Sequence, residues 1–161
     1  MVDFKSSVRI SERPFDFHKE SAQFRVQHRD AGAIVTFLGQ VRPIASEKDT
    51  DFVNSLYVDH YPGFTETEIV GVAQRAVERW PVDGLDIIHR IGKIDVGDPI
   101  VWVAAAAVHR RAAFECVDFM MDYLKSEAPF WKQEVTAQGR QWITPRPEDY
   151  RDLERWSEQS Q

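Results

Sequence analysis

The sequence predicts an α+β domain, and three observations carry that reading. The run Ile100–Val108 is almost continuously apolar, the pattern of a strand buried on both faces. Two stretches, from Pro62 to Trp80 and from Arg110 to Glu127, repeat apolar residues at helical spacing. The remaining strand-like runs are joined by turn signals, with no regular alternation of strand and helix, so an all-parallel sheet is not expected.

Ser6–Ile10 reads as a short edge strand. Phe15–Val26 is weakly helical, with Phe15, Ala22 and Val26 as its core candidates. Ala31–Val41 is rich in β-branched and aromatic residues and reads as a strand, with Gly39 marking a bulge or a close backbone approach. Pro43–Asp51 is a polar loop, and Phe52–His60 alternates as a second strand. Pro62 opens a helix whose inner face is Ile69, Val72, Ala73, Ala76, Val77 and Trp80, with Thr65, Glu66 and Glu68 near its positive end. Pro81 stops it, and Asp83-Gly84 is a turn signal.

Leu85–Ile91 is the next strand, followed by turns at Gly92 and Gly97-Asp98 and then the buried Ile100–Val108 strand. The helix from Arg110 runs to about Glu127, because Pro129 disfavours helical geometry at Ala128. Phe130–Thr136 and Gln141–Thr144 form a hairpin about Gln138-Gly139. The charged tail, 147–161, is expected to fray, with Trp156 as its available anchor.

A chain of 161 residues suits one domain with a single sizeable core. Its net charge of −6 argues against broad nucleic-acid binding, which needs a cationic field. An anionic ligand would have to be held by a local cluster of cations. The one cysteine, Cys116, allows no intrachain disulfide and no Cys-rich metal site, and fits a reducing cytoplasmic setting. No apolar signal core stands at the N-terminus, and the longest apolar run is about half of what spans a bilayer, so no membrane association is expected. No His, Asp or Glu spacing resembles a metal site, and no Gly-rich phosphate loop is present.

The chemistry concentrates between His109 and Lys132. Phe114, Val117, Met121 and Lys125 follow one another at spacings of 3, 4 and 4, so Lys125 ends an apolar helical stripe. Desolvation there would lower its pKa toward a useful acid/base range; the competing reading is a snorkelling lysine with its ammonium in water. Lys132 follows the Pro129 break, where the chain can turn back toward the helix end. Two lysines facing one pocket would depress each other's pKa and bind phosphate or carboxylate. His109 and Arg110 stand at a strand end and a helix start, where free backbone N–H groups favour anions. Arg42 sits just past a strand beside the polar loop. Cys116 lies mid-helix with no adjacent cation to activate it, and reads as packing. Taken alone, these residues support anion binding and little more.

Six blocks, in order, resemble the large catalytic subunit family of molybdopterin synthase: GAIVTFLGQVR (Gly32–Arg42), LYVDHYPGFTE (Leu56–Glu66), HRIGKIDVGD (His89–Asp98), HR (His109–Arg110), MDYLKSEAPFWKQE (Met121–Glu134) and QWITPR (Gln141–Arg146). Each is short, but the ordered set spans nearly the whole chain. The resemblance implies an α/β hammerhead fold: a mixed, mostly antiparallel sheet with two main helices and a C-terminal hairpin. It also implies a central homodimer with a small ubiquitin-like sulfur-carrier subunit docked on each copy. That partner's C-terminal Gly-Gly thiocarboxylate would give its sulfur to cyclic pyranopterin monophosphate, forming the molybdopterin dithiolene without a cofactor.

By matching positions, Lys125 and Lys132 take the catalytic places. Arg42, His109 and Arg110 match anion-pocket residues, Phe37 and Met121 match pocket walls, and Arg146 matches a basic position that reaches a neighbouring subunit's site. Gln40 and Gln133 stand where basic residues are common, and the 43–51 loop lacks the family's usual His/Asn/Gly character. Two other readings compete: a non-catalytic module that binds a ubiquitin-like tail, and a Schiff-base lysine enzyme acting on a phosphorylated carbonyl compound.

Overall fold

The computed structural model describes residues 5–43 and 52–157. Eight strands and four helices follow in the order β1 (Lys5–Ser11), α1 (Phe17–Gln27), β2 (Ala33–Gln40), β3 (Val53–His60), α2 (Phe64–Arg79), β4 (Val82–Arg90), β5 (Gly92–Asp95), β6 (Pro99–Ala107), α3 (Arg110–Ser126), β7 (Phe130–Thr136), β8 (Gly139–Ile143) and α4 (Pro147–Glu154). They build two four-stranded sheets, ordered β1-β4-β6-β2 and β5-β3-β7-β8. Among the described residues only the β1–β4 pair is parallel.

β6 is the spine of the first sheet. Val101, Val103, Ala105 and Ala107 point to one side, into a core shared with α2 and α3. Trp102, Ala104 and Ala106 point to the other, where Phe24 of α1 covers them. Period-two alternation with both faces apolar is what a strand between two layers requires. The four alanines from Ala104 to Ala107 leave room for the helices to approach closely. The second sheet packs through Val53, Leu56, Val58 and Ile94 around a smaller core.

Several expectations are corrected. On α1 the buried residue is Phe24, while Ala22 and Val26 are exposed, because the helix presents its only large aromatic side chain after Phe17 to Trp102. Asp83-Gly84 makes no turn. Both residues lie inside β4, at a register shift, and the His28 ring lies so close to Gly84 that a Cβ there would overlap it. The Gly92 turn is followed by a short strand, β5, that pairs with β3. The 43–51 loop lies outside the described residues from position 44 onward. Among the described residues no helix is long and apolar enough to cross a membrane.

The tail does not fray across 147–157. Pro147 starts α4, the Asp149 carboxylate accepts from the Arg146 N–H at 2.8 Å, and Trp156 is buried. Trp156 meets Trp80 and Phe119 edge-on, at 5.3 and 5.8 Å between ring centroids. Its indole N–H donates to Asp122 at 2.7 Å, and Arg155 binds the same carboxylate. Trp156→Ala is therefore expected to destabilise the protein by about 3–5 kcal/mol. Chemical denaturation followed by circular dichroism measures that loss.

Candidate active site

A cavity of about 460 Å³ opens at the C-terminal end of α3, between the β7–β8 hairpin and the start of α4. Arg42, Lys125, Lys132 and Arg146 line it together with the acids Glu134 and Asp149. The exposed indoles of Trp131 and Trp142 stand on its wall.

The chain reversal after α3 brings the two lysines together. The N–H groups of Glu127 and Ala128 both donate to the Tyr123 carbonyl, closing the helix. The fully buried Thr65 hydroxyl donates to the Pro129 carbonyl at 3.0 Å and accepts from the Tyr61 N–H at 2.9 Å. Phe130 then stacks on the buried His89 ring, 3.9 Å between centroids and 15° from parallel. β7 leaves from that fixed point, and Lys132 pairs with Val58 on one side and Ile143 on the other.

The electrostatics reverse one expectation. Lys125 is exposed at the last turn of α3, so it is not the desolvated lysine. The stripe leading to it is also exposed at its start, at Phe114, and buried only in the middle, at Val117. The desolvated group is Lys132, whose ammonium is pushed down to about 8 by burial, then by the Lys125 charge, with Asp149 opposing both. Beneath it, burial foremost and the Lys132 charge next push His89 down to about 3. Its Nδ1 lies 2.7 Å from the Arg90 carbonyl. A neutral imidazole thus sits under the cationic floor. Cys116 is fully buried, and burial lifts its thiol to about 12, as expected of a packing residue.

The other expected residues divide. Arg42 and Arg146 line the cavity of their own chain. His109 and Arg110 do not: they are exposed at the opposite end of α3, about 24 Å away along the helix axis. The single cluster of Arg42, His109, Arg110 and the lysines does not form within one chain, because a straight 17-residue helix separates its members. Met121 packs half-buried against the main core, and Phe37 lies exposed on β2; neither lines the cavity. Gln40 does line it and donates to the Gly97 carbonyl at 3.3 Å, whereas Gln133 alternates with Lys132 along β7 and does not. Sequence reasoning missed Asp149, Glu134 and His89. Asp149 sits in a charged tail with nothing local to say that it turns inward.

Among the described residues no group of three or more His, Cys, Asp or Glu side chains converges as a metal site would. The arrangement suits an anion with a polar, partly apolar body. The lysine with the lowered pKa also costs stability. Its folded-state pKa lies below the unfolded 10.5, so the cost is fully present below about pH 8 and is relieved as pH rises toward 10.5. Lys132→Met is expected to stabilise the fold at pH 7 by about 1–2 kcal/mol, after discounting for partial solvent access. Urea unfolding at pH 7 and pH 10 checks both the gain and its shrinkage.

The MoaE protein family model matches residues 10–127. The molybdopterin synthase catalytic subunit of Pseudomonas aeruginosa is 41% identical over 152 residues, which is 94% of this chain and 99% of that one. The molybdopterin biosynthesis MoaE protein of Burkholderia ambifaria superposes with a TM-score of 0.78 at 38% identity, covering 95% of this chain and 99% of the other. A fold likeness also extends to the molybdopterin-converting factor of Helicobacter pylori, solved as a protein–protein complex of its subunits 1 and 2. There the TM-score is 0.70 and the identity 20%, with 86% and 91% of the two chains covered. The ordered blocks, the two-sheet fold and the cavity floored by two lysines meet in one conclusion: this chain belongs to the MoaE family, the catalytic subunits of molybdopterin synthase.

Proposed function

We propose that the cavity transfers sulfur from a thiocarboxylated protein tail to cyclic pyranopterin monophosphate, forming the molybdopterin dithiolene. The observation that carries this reading is the convergence of Arg42, Lys125, Lys132 and Arg146 on one cavity, in a chain whose net charge is −6. A local cationic cluster on an acidic protein is what a phosphorylated substrate and an anionic tail both require. The donor would be the C-terminal Gly-Gly of a small ubiquitin-like subunit. A sulfur carried in by a partner fits a chain whose own thiol is buried and held protonated.

In this reading Lys125, exposed at the mouth, stands by the tail's terminal carbonyl. The thiocarboxylate sulfur attacks a pterin side-chain carbon and displaces its oxygen substituent, leaving an acyl thioester. Water then adds to the tail's carbonyl, Lys125 stabilises the oxyanion formed there, and the tail's C–S bond breaks, releasing the tail as a carboxylate and leaving the sulfur on the pterin. Lys132, with a pKa near 8, is poised to give a proton to the pterin intermediate or take one back at working pH. The aromatic wall of Trp131 and Trp142 offers flat apolar surface to the ring system.

The reading also assigns His109 and Arg110. They cannot reach the cavity of their own chain, and they are exposed. In a dimer of the large subunit they would serve the cavity of the second copy.

Two experiments test this. Purified chain, thiocarboxylated small subunit and cyclic pyranopterin monophosphate are combined and molybdopterin is measured as product. Lys125→Ala should lose at least about a hundredfold in rate while keeping its circular dichroism spectrum. Near-normal turnover in that variant would sink the assignment. In the second, Lys125→Ala and Arg110→Ala chains are co-expressed and isolated as mixed dimers. Shared sites predict that mixing restores activity absent from either variant alone; no restoration places His109 and Arg110 outside the neighbour's cavity.

A further inference from the structure

The cationic cavity contains a buried acid that the sulfur-transfer reading does not use. Asp149 is 9% exposed. One carboxylate oxygen accepts from the Arg146 backbone N–H at 2.8 Å; the other accepts from the Arg146 guanidinium at 3.2 Å. Arg146 itself is mostly exposed, and its guanidinium is held at the rim by this one side-chain hydrogen bond and ion pair. The α4 that carries Asp149 is locked onto α2 and α3 by Trp156, Arg155 and Asp122. The carboxylate is therefore a fixed element of the wall.

We propose that Asp149 is a positioning residue for the anion pocket: it tethers Arg146 at the rim and sets a fixed negative charge in the wall of the cavity that Lys125 and Lys132 also line. The charged and titratable groups around it are Arg146 and Tyr150 from its own segment, Lys125 from α3, Lys132 and Glu134 from β7, and Arg42 from the exit of β2. His89 lies under Lys132. Burial alone would raise the Asp149 carboxyl, but the two Arg146 hydrogen bonds outweigh it, and the Lys125 charge acts with them, so it stays ionised. It acts in turn on Lys132, opposing both burial and Lys125. Remove it, and three cations and a half-buried ammonium share one cavity with Glu134 as the remaining acid. The ammonium that already carries the desolvation cost is the one that gives up its proton.

A purely structural role is the competing explanation, since the Arg146 N–H to Asp149 bond also caps α4. Asp149→Asn separates the two, because an amide oxygen can still cap the helix while the charge is gone. The inference rests on reading this cavity as the active site, so the measurement is chosen to be independent of turnover. The full chain is labelled with 13C-lysine, and the Lys132 resonance, assigned with Lys132→Arg, is titrated by NMR. In Asp149→Asn its midpoint is expected about half a pH unit or more below the parent's, and in Asp149→Glu close to the parent's. The pH above which inorganic phosphate binding weakens should move down with it. An unchanged Lys132 midpoint in Asp149→Asn, with only a lower Tm, overturns the proposal and leaves Asp149 a helix cap. If Asp149→Asn does not fold, the Asp149→Glu and Arg146→Ala chains decide: loss of the tether alone should leave Lys132 no lower than in the parent. A fall in Arg146→Ala contradicts the counter-charge role. Failure of dithiolene formation with the expected titration would instead count against the sulfur-transfer reading.

Discussion

The site depends on one chain reversal, at Ala128–Pro129. Proline keeps α3 from continuing, and a buried hydroxyl, Thr65, takes hold of the Pro129 carbonyl just past the helix end. Immediately afterwards Phe130 lands on His89, at the junction of the main core with the second sheet's core. A lysine on a helix end and a lysine on a strand are thereby held across one cavity, although each belongs to a different packing layer. If the reversal slipped by one residue, period-two alternation would turn Lys132 to the opposite face of β7, where Gln133 now stands.

This arrangement joins stability and chemistry in opposition. Ala104–Ala107 and the aromatic trio Trp80, Phe119 and Trp156 give the frame its rigidity. The frame then holds a half-buried ammonium that water would stabilise better. His89 shows the same logic in another form. A charged imidazole at that position would add a further cation beneath Lys132, and burial, then the Lys132 charge, push it down to about 3.

Much of this was legible in the sequence because it is written in local periodicity. The β6 run, the inner face of α2, the Pro129 stop and the β7–β8 hairpin all follow from neighbouring residues. What escaped depends on contacts between distant segments. Asp83-Gly84 carries a turn signature, yet parallel pairing with β1 and the nearby His28 ring hold it in a strand. Lys125 ends an apolar stripe, but whether a stripe's end is covered depends on what packs there, and Lys125 stays exposed while Leu124 and Ser126 on either side of it are buried. Position along the chain puts His109 and Arg110 in one anion-handling segment with the lysines, when the length of α3 is what separates them. Asp149 was invisible because a charged tail reads as solvated until Trp156 is seen to bury itself.

The division of the tryptophans has a spectroscopic consequence. Of five indoles, Trp80, Trp102 and Trp156 are sealed in the cores, while Trp131 and Trp142 are open to solvent on the cavity wall. The emission of this protein is therefore the sum of a blue, quencher-resistant population and a red, quencher-accessible one. The second population belongs to the cavity. A molecule that enters there changes the red component and leaves the blue one as an internal reference, so the chain carries its own ratiometric reporter of occupancy.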